Sequence, residues 1–244
     1  MKYSAKTDKG SVREINEDYY NIITGYSGIP AVFIIADGMG GHNAGEIASM
    51  TSIEHISNAI LESPELLSKS TDMAVTIKSL IAKANEVVYE KSLELTENHG
   101  MGTTLIMAVI TGNTMYIGHV GDSRLYIVKN DKMNCITTDH SYIEELIKNG
   151  TLTREEAQKH PKRNIITRAL GCSLDLEVDT YICKLEENDY IIMCTDGLTT
   201  MMDEKEIKDT VIRNTPAIAC EELVAGAIRN GGDDNITVIV IKNE

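Results

Sequence analysis

Four apolar or glycine-flanked runs in this chain each carry an aspartate at one edge. They are Ala31-Val-Phe-Ile-Ile-Ala-Asp37-Gly38, Tyr116-Ile-Gly-His-Val-Gly-Asp122-Ser123, Tyr190-Ile-Ile-Met-Cys-Thr-Asp196-Gly197 and Asp233-Asp234-Asn235-Ile-Thr-Val-Ile-Val-Ile241. The first reads as a continuous buried strand, and the last is apolar on both faces. An acid at the rim of a buried strand is costly unless compensated, and no matching set of basic residues lies beside these four. The compensation their chemistry suggests is a hard divalent cation with oxygen ligands.

The other segments supply the scaffold. Strands are expected over Lys2–Thr7, Tyr19–Thr24, Thr103–Ile110, Met115–Val120, Arg124–Lys129, Met133–Thr137, Glu177–Leu185, Asp189–Thr195 and 236–241. Polar turns at Thr111–Thr114 and Asn130–Lys132 make their flanking strands antiparallel neighbours. Helical spacing covers Glu46–Leu61 through Ile47, Met50, Ile53, Ile56 and Ile60, and about Asp72–Leu95 through Val75, Leu80, Ala84, Val87 and Val88. Ser141 with Glu144, Thr153 with Glu156, and Asp203 with Glu206 have capping-box spacing for further helices, and two more helices are expected near 204–213 and 217–229. Strands cluster with strands and helices with helices, which predicts an α+β fold: two mainly antiparallel sheets face to face, flanked by helices. No linker or repeat interrupts the chain, so one domain is expected over residues 1–244.

Charge narrows the function. A formal net charge of -14 gives no basic footprint for nucleic acid or an anionic membrane, and suits a solvated acidic surface. The five cysteines are scattered without a Cys-x-x-Cys pair, which favours buried free thiols in a reducing compartment over disulfides or zinc. Cys194 sits in an apolar run and reads as core. There is no N-terminal signal region, and no apolar run reaches the ~18 residues of a membrane span, so a soluble cytoplasmic protein is expected.

Two segments carry chemistry. Asp37-Gly-Met-Gly-Gly-His42-Asn-Ala-Gly45 joins a strand to a helix, but Asn43 stands where a dinucleotide loop needs its third glycine. An aspartate directly before the loop would also repel a pyrophosphate, whereas glycines here let carbonyls such as that of Gly38 approach a cation held by Asp37. Further upstream, Arg13-x-x-Asn16-Glu17-Asp18 sets one arginine beside two acids. Taken alone it fits a surface ion pair; its planar fork also suits a phosphate.

Seven motifs occur in order: Arg-x-x-Asn-Glu-Asp, Ala-Asp-Gly-Met-Gly-Gly-His, Met101-Gly-Thr-Thr104, Gly121-Asp-Ser-Arg124, Asp139-His-Ser141, Thr195-Asp-Gly197 and Gly-Gly-x-Asp234-Asn-Ile-Thr237. From about Tyr3 to Ile241 the chain resembles the metal-dependent protein phosphatases of type 2C in their single-domain bacterial form. That resemblance implies a four-layer α-β-β-α sandwich and hydrolysis of phosphoserine and phosphothreonine in proteins by water activated between two Mn²⁺ or Mg²⁺ ions. It implies that Asp37 bridges both ions, that the Gly38 carbonyl binds the second, and that Asp196 and Asp234 complete the first. Glu17 and Asp18 would bind or orient waters at the second ion, Arg13 would bind phosphate, and Asp122 would help hold a third, weaker metal, with Asn164 in the flap near it. The family pattern also selects Asp234 over Asp233, which strand alternation does not separate.

Met39 stands where animal members carry a histidine after the Asp-Gly pair, as in bacterial relatives. The proton donor is therefore open between His42 and a water on the metals. Phosphorylated proteins and a cognate bacterial Ser/Thr kinase are the implied partners, and a monomer is expected. The rival readings are a pseudophosphatase scaffold, which should have lost a core ligand, and a phosphoesterase acting on small molecules.

Overall fold

The computed structural model describes residues 1–244 apart from His42, Asn43, Gln158, Lys159 and Arg163 and the side chain of Glu155. Among the described residues the chain runs β1 (Lys2–Asp8), β2 (Asp18–Ile23), β3 (Ala31–Met39), α1 (Ala44–Glu62), α2 (Glu65–Ser68), α3 (Met73–Glu94), β4 (Gly102–Thr103), β5 (Leu105–Thr111), β6 (Thr114–Val120), β7 (Arg124–Lys129), β8 (Lys132–Cys135), α4 (Tyr142–Lys148), α5 (Arg154–Ala157), β9 (Asp179–Lys184), β10 (Tyr190–Cys194), α6 (Asp196–Thr199), α7 (Glu204–Arg213), α8 (Pro216–Arg229) and β11 (Ile236–Lys242). One sheet has the order β1-β11-β10-β7-β8, and the other β2-β3-β5-β6-β9 with β4 on β3. All described pairings are antiparallel.

Period-two side-chain alternation sorts these strands into layers. Along β3, Val32, Ile34 and Ala36 pack with Ile53, Ile56 and Ile60 of α1 and Ile77, Leu80 and Ile81 of α3. The intervening Phe33 and Ile35 face the second sheet and join Ile191, Met193, Ile239 and Ile241. Along β11, Ile236, Val238 and Val240 face the other way, onto Ile207 and Val211 of α7 and Leu223 and Val224 of α8. Three apolar layers thus hold four structural layers together, the α+β sandwich expected. Each fully buried large aliphatic contributes ~1.5–3 kcal/mol by leaving water.

Some local expectations shift. The buried stripe of α3 is Ile77, Leu80, Ile81, Ala84 and Val88. Val75 is 61% exposed, being two positions and hence about 200° around the helix from Ile77, and Val87 is half-buried. Asp72 caps this helix by accepting from the Val75 N–H at 3.1 Å. The Asp203–Glu206 box is complete, and Ser141 and Thr153 cap α4 and α5. All five cysteines are free, yet only Cys194 and Cys220 are buried; Cys135 and Cys172 are exposed and Cys183 is intermediate. No helix among the described residues is long and apolar enough to cross a membrane.

Candidate active site

The expected strand over Ala31–Ala36 runs on through Asp37 to Met39, so Asp37 lies within a strand instead of at its rim. Threonines 103 and 104 carry it on. The Asp37 N–H donates to Thr104 Oγ1 at 2.9 Å, and its carbonyl accepts from the Thr104 N–H and the Thr103 hydroxyl, both at 2.9 Å. Pairing with β2 puts Asp18 directly opposite Asp37. Asp196 opens α6 immediately after β10, and Asp234 stands in the turn before β11, the neighbouring strand of the other sheet. Adjacent strand ends of both sheets therefore deliver acids to one place.

Close backbone approach binds these segments together. A Cβ on Gly38 would overlap the Gly45 carbonyl and lie 2.6 Å from the Glu17 carbonyl. The Gly38 N–H donates to that Glu17 carbonyl at 3.1 Å, and Ser49 Oγ donates to it at 2.6 Å. A Cβ on Gly197 would overlap the carbonyl of Asn235. Only glycine allows such packing, which accounts for the Asp-Gly pairs.

Asn235 is a residue to which sequence reading assigned no role. Buried itself, it donates through Nδ2 to the Lys9 and Ile15 carbonyls (3.0 and 2.9 Å) and accepts from the Glu17 N–H at 2.8 Å, so it shapes the whole Arg13–Glu17 loop. Thr195 and Thr237 likewise went unassigned: both hydroxyls donate to Asp18 Oδ2, at 2.8 and 2.6 Å. Their only sequence signal was a place inside the motifs.

The electrostatics are dominated by like charge. Burial, reinforced by Asp18, Asp196 and Asp122, raises the Asp37 carboxyl well above its ordinary range. Burial also pushes Asp18 up to about 7 against its threonine hydrogen bonds, Asp196 up to about 6 with help from Asp234, and Asp122 up to about 8 with help from Asp196. Glu17 is raised by burial too. Among the described residues, buried oxygens of Glu17 (Oε1), Asp18 (Oδ1) and Asp122 (Oδ1) find no hydrogen-bond partner. Arg13 Nη2 donates to Asp234 Oδ2 at 2.9 Å, while Asp234 Oδ1 accepts from the Asn235 N–H at 2.8 Å. Asp233 is exposed and Asp234 half-buried, which separates the two residues that strand alternation left equivalent.

Beside the cluster opens a cleft of about 1100 Å³ whose lining includes Asp122, Asp196, Arg124, Asp139 and Asn164. Asn164 is exposed, and Asp122 sits in the turn between β6 and β7. Arg124 holds Asp139 in a bidentate pair, with Nη2 to Oδ2 at 2.6 Å and Nε to Oδ1 at 2.9 Å. The structure thus brings Arg13, Glu17, Asp18, Asp37, Gly38, Asp196 and Asp234 to one centre and Asp122 and Asn164 to the adjoining cleft; His42 lies outside the described residues. Among the described residues no three acidic, histidine or cysteine side chains already close into a cation cage. What the fold sets is the placement of the segments that carry them.

Residues 9–224 match the family Protein phosphatase 2C. The chain belongs to that family. Its fold and activity follow at that level: it is a metal-dependent serine/threonine protein phosphatase, a hydrolase of phosphate monoesters. The phosphatase is 37% identical to the serine/threonine phosphatase stp of Listeria innocua over 244 residues, 99% of this chain and 96% of that one. It superposes on the serine/threonine phosphatase PstP/Ppp of Mycobacterium tuberculosis with a TM-score of 0.89 at 31% identity, covering 100% of this chain and 98% of the other. A third relative, the catalytic domain of the serine threonine protein phosphatase PstP in complex with two manganese ions, is 30% identical with a TM-score of 0.84 and covers 98% of this chain and 96% of its own.

Proposed function

We propose that the converging acids hold two divalent cations, Mn²⁺ or Mg²⁺, at which phosphoserine and phosphothreonine in proteins are hydrolysed. The observation that carries this reading is the set of buried oxygens on Glu17, Asp18 and Asp122 that find no partner among the described residues, set among Asp37 and Asp196, whose carboxyls are raised by burial and then by their acidic neighbours. Such a donor set fits a hard cation and contains no thiolate or imidazole to favour zinc. Asp37 would bridge the two ions, the Gly38 carbonyl would serve the second, and Asp196 and Asp234 would complete the first. Glu17 and Asp18 would hold waters at the second ion, and Asp122, with the flap around Asn164, would serve a third. When bound, the cations supply Lewis acidity, which makes water nucleophilic near neutral pH and offsets phosphate charge.

The chain's own residues prepare that chemistry. With Oδ2 of Asp18 taken by two threonine hydroxyls, only Oδ1 is left to face a ligand. Three hydrogen bonds to the backbone of Asp37 hold its carboxylate in place before substrate arrives. Arg13 has five donors, one of which engages Asp234, so its fork can turn a planar face to a phosphate while staying anchored. Cys194 is fully buried in the core and its thiol is pushed far up by burial, so it is no nucleophile, and no covalent intermediate is invoked.

We further infer a cytoplasmic monomer, acting as one catalytic domain over residues 1–244 and opposing a Ser/Thr kinase; kinship with bacterial phosphatases supports this setting. The decisive experiment compares phosphothreonine and phosphoserine peptides with nucleotides and sugar phosphates, each in Mn²⁺ and in EDTA. Hydrolysis of the peptides that EDTA stops and Mn²⁺ restores is expected. Preference for a nucleotide would overturn the protein substrate, and turnover in EDTA would overturn the metal centre.

A further inference from the structure

Two stacked histidines lie beneath the turn that carries Asp122. His119 of β6 is fully buried, and its ring centroid is 4.8 Å from that of His140, with 31° between the planes. His119 Nε2 lies 3.1 Å from the carbonyl of Ser123, which accepts only, so Nε2 carries the proton. His140, 6% exposed, accepts from the Gly121 N–H through Nδ1 at 3.0 Å, and the His140 backbone N–H donates to the Gly121 carbonyl at 2.8 Å. With Nδ1 accepting from a backbone N–H, the His140 proton sits on Nε2, which lies 3.2 Å from Asp179 Oδ2 and 3.0 Å from Arg168 Nη1. Arg168 in turn donates to Asp179 Oδ1 and to Glu177 Oε2, both at 2.9 Å.

From these contacts we propose that His119 and His140 are positioning residues for the phosphatase reaction, clamping the backbone on both sides of Asp122 and tying it to the base of the segment that walls the cleft. Gly121 is held by one imidazole and Ser123 by the other, so Asp122 lies between two fixed points. Ser123 Oγ lies 2.8 Å from Thr104 Oγ1, the same atom that accepts from the Asp37 N–H, so the clamp reaches the central aspartate. At the other end the His140 carbonyl accepts from the Thr167 N–H at 2.8 Å, and the Tyr142 N–H donates to the Ile165 carbonyl at 2.9 Å. These bonds close the base of the segment that carries α4, α5 and Asn164. Burial keeps both rings below their ordinary range, His119 at about 3, so the neutral tautomers persist at working pH. An apolar pair of the same size would leave the Gly121 N–H and the Ser123 carbonyl buried without partners.

The proposal rests on the reading of Asp122 given above, and the test separates the two. In the full-length protein with ¹⁵N-labelled imidazoles, both rings should show the neutral Nε2–H tautomer from pH 6 to 8; an Nδ1–H tautomer at His140 overturns the clamp, whatever Asp122 does. With a phosphothreonine peptide in Mn²⁺, His140→Leu should lower kcat about 10- to 100-fold and leave KM nearly unchanged. His140→Asn, whose amide can still accept from Gly121, should recover most of that loss, and so should His119→Gln, which keeps a donor for Ser123, relative to His119→Leu. These conservative variants carry the test where a leucine variant fails to fold. In an Asp122→Ala background, His140→Leu should cost no further turnover, whereas equal losses in both backgrounds would show a merely structural role and overturn the proposal. Normal turnover in Asp122→Ala alone would remove the role of Asp122 and this proposal with it.

Discussion

The acid centre and the cleft beside it are built by different means. Asp18 and Asp37 face each other across a strand pair, and Gly38 and Gly197 let neighbouring backbones touch, so the centre is set by sheet register and close packing. Asp122 and Asn164 stand in turns, and the cleft walls come largely from the short helices α4, α5 and α6 and the turn after α6, with Arg124 and Cys135 at their sheet side. Register resists sub-ångström drift because each strand is bonded along its length, while a turn keeps its shape only through side-chain bonds such as those of His119 and His140. Substitutions at the centre should therefore act abruptly and those at the cleft by degrees.

The sharpest way to break that contrast is Asp37→Asn. It should lower kcat for a phosphothreonine peptide by at least about 10³-fold, or ~4 kcal/mol of transition-state stabilisation. Its melting temperature in EDTA should hold or rise, because a neutral amide replaces a carboxyl that burial and neighbouring acids keep from ionising. Near-normal turnover would sink the central role of Asp37. Gly38→Ala comes next: its Cβ must displace the Gly45 and Glu17 carbonyls, at a cost of ~1–3 kcal/mol in stability with most activity lost. A variant that melts and turns over like the parent would show that packing does not set the centre.

How much of this was legible beforehand follows the same division. The strands around Asp37, Asp196 and Asp234 announced themselves through apolar runs, and the order of motifs gave the layers. Asn235, Thr195 and Thr237 passed unassigned because their work is done across 42 to 226 residues of separation, which no local pattern encodes. Val75 was misplaced because an apolar residue near a helix start resembles a core position until the helix phase is known. The exposed Cys135 and Cys172 make the same point: residue type gives a tendency to burial, and topology decides.

Two intermediate effects sharpen the comparison. Arg13→Ala should cost roughly 10- to 100-fold in kcat/KM if, as proposed, the residue binds phosphate without building the centre. Kinetics that stay unchanged while the melting temperature drops would reduce Arg13 to a partner of Asp234. The second effect is on pH. Asp18, Asp122 and Asp196 are raised to about 7, 8 and 6, so the folded metal-free protein binds protons that the unfolded chain releases near pH ~4. More protons in the folded state mean that stability falls as pH rises: this contribution is fully present below the unfolded value and lost through pH 6–8. Melting in EDTA should therefore drop by roughly a few degrees from pH 5.5 to 8, and saturating Mn²⁺ should flatten or reverse the slope. The same slope with and without Mn²⁺ would mean that these carboxylates are not where the cation binds.

The smallest expected effect belongs to Asn164→Ala. Its side chain is exposed and reaches the cleft from a turn outside both sheets, so a neutral amide there can steer a ligand or a bound water but cannot hold the site together. A stability change within about 0.5 kcal/mol is expected, as for a surface position without a cap or buried bond. Turnover of a phosphopeptide should fall only a few-fold, by less than ~1.4 kcal/mol. The loss should grow when Mn²⁺ is limiting, because the weak third site proposed in the cleft would be the first to empty. A loss as large as that of Asp37→Asn, or one indifferent to Mn²⁺ concentration, would place Asn164 with the centre and erase the distinction between the two regions.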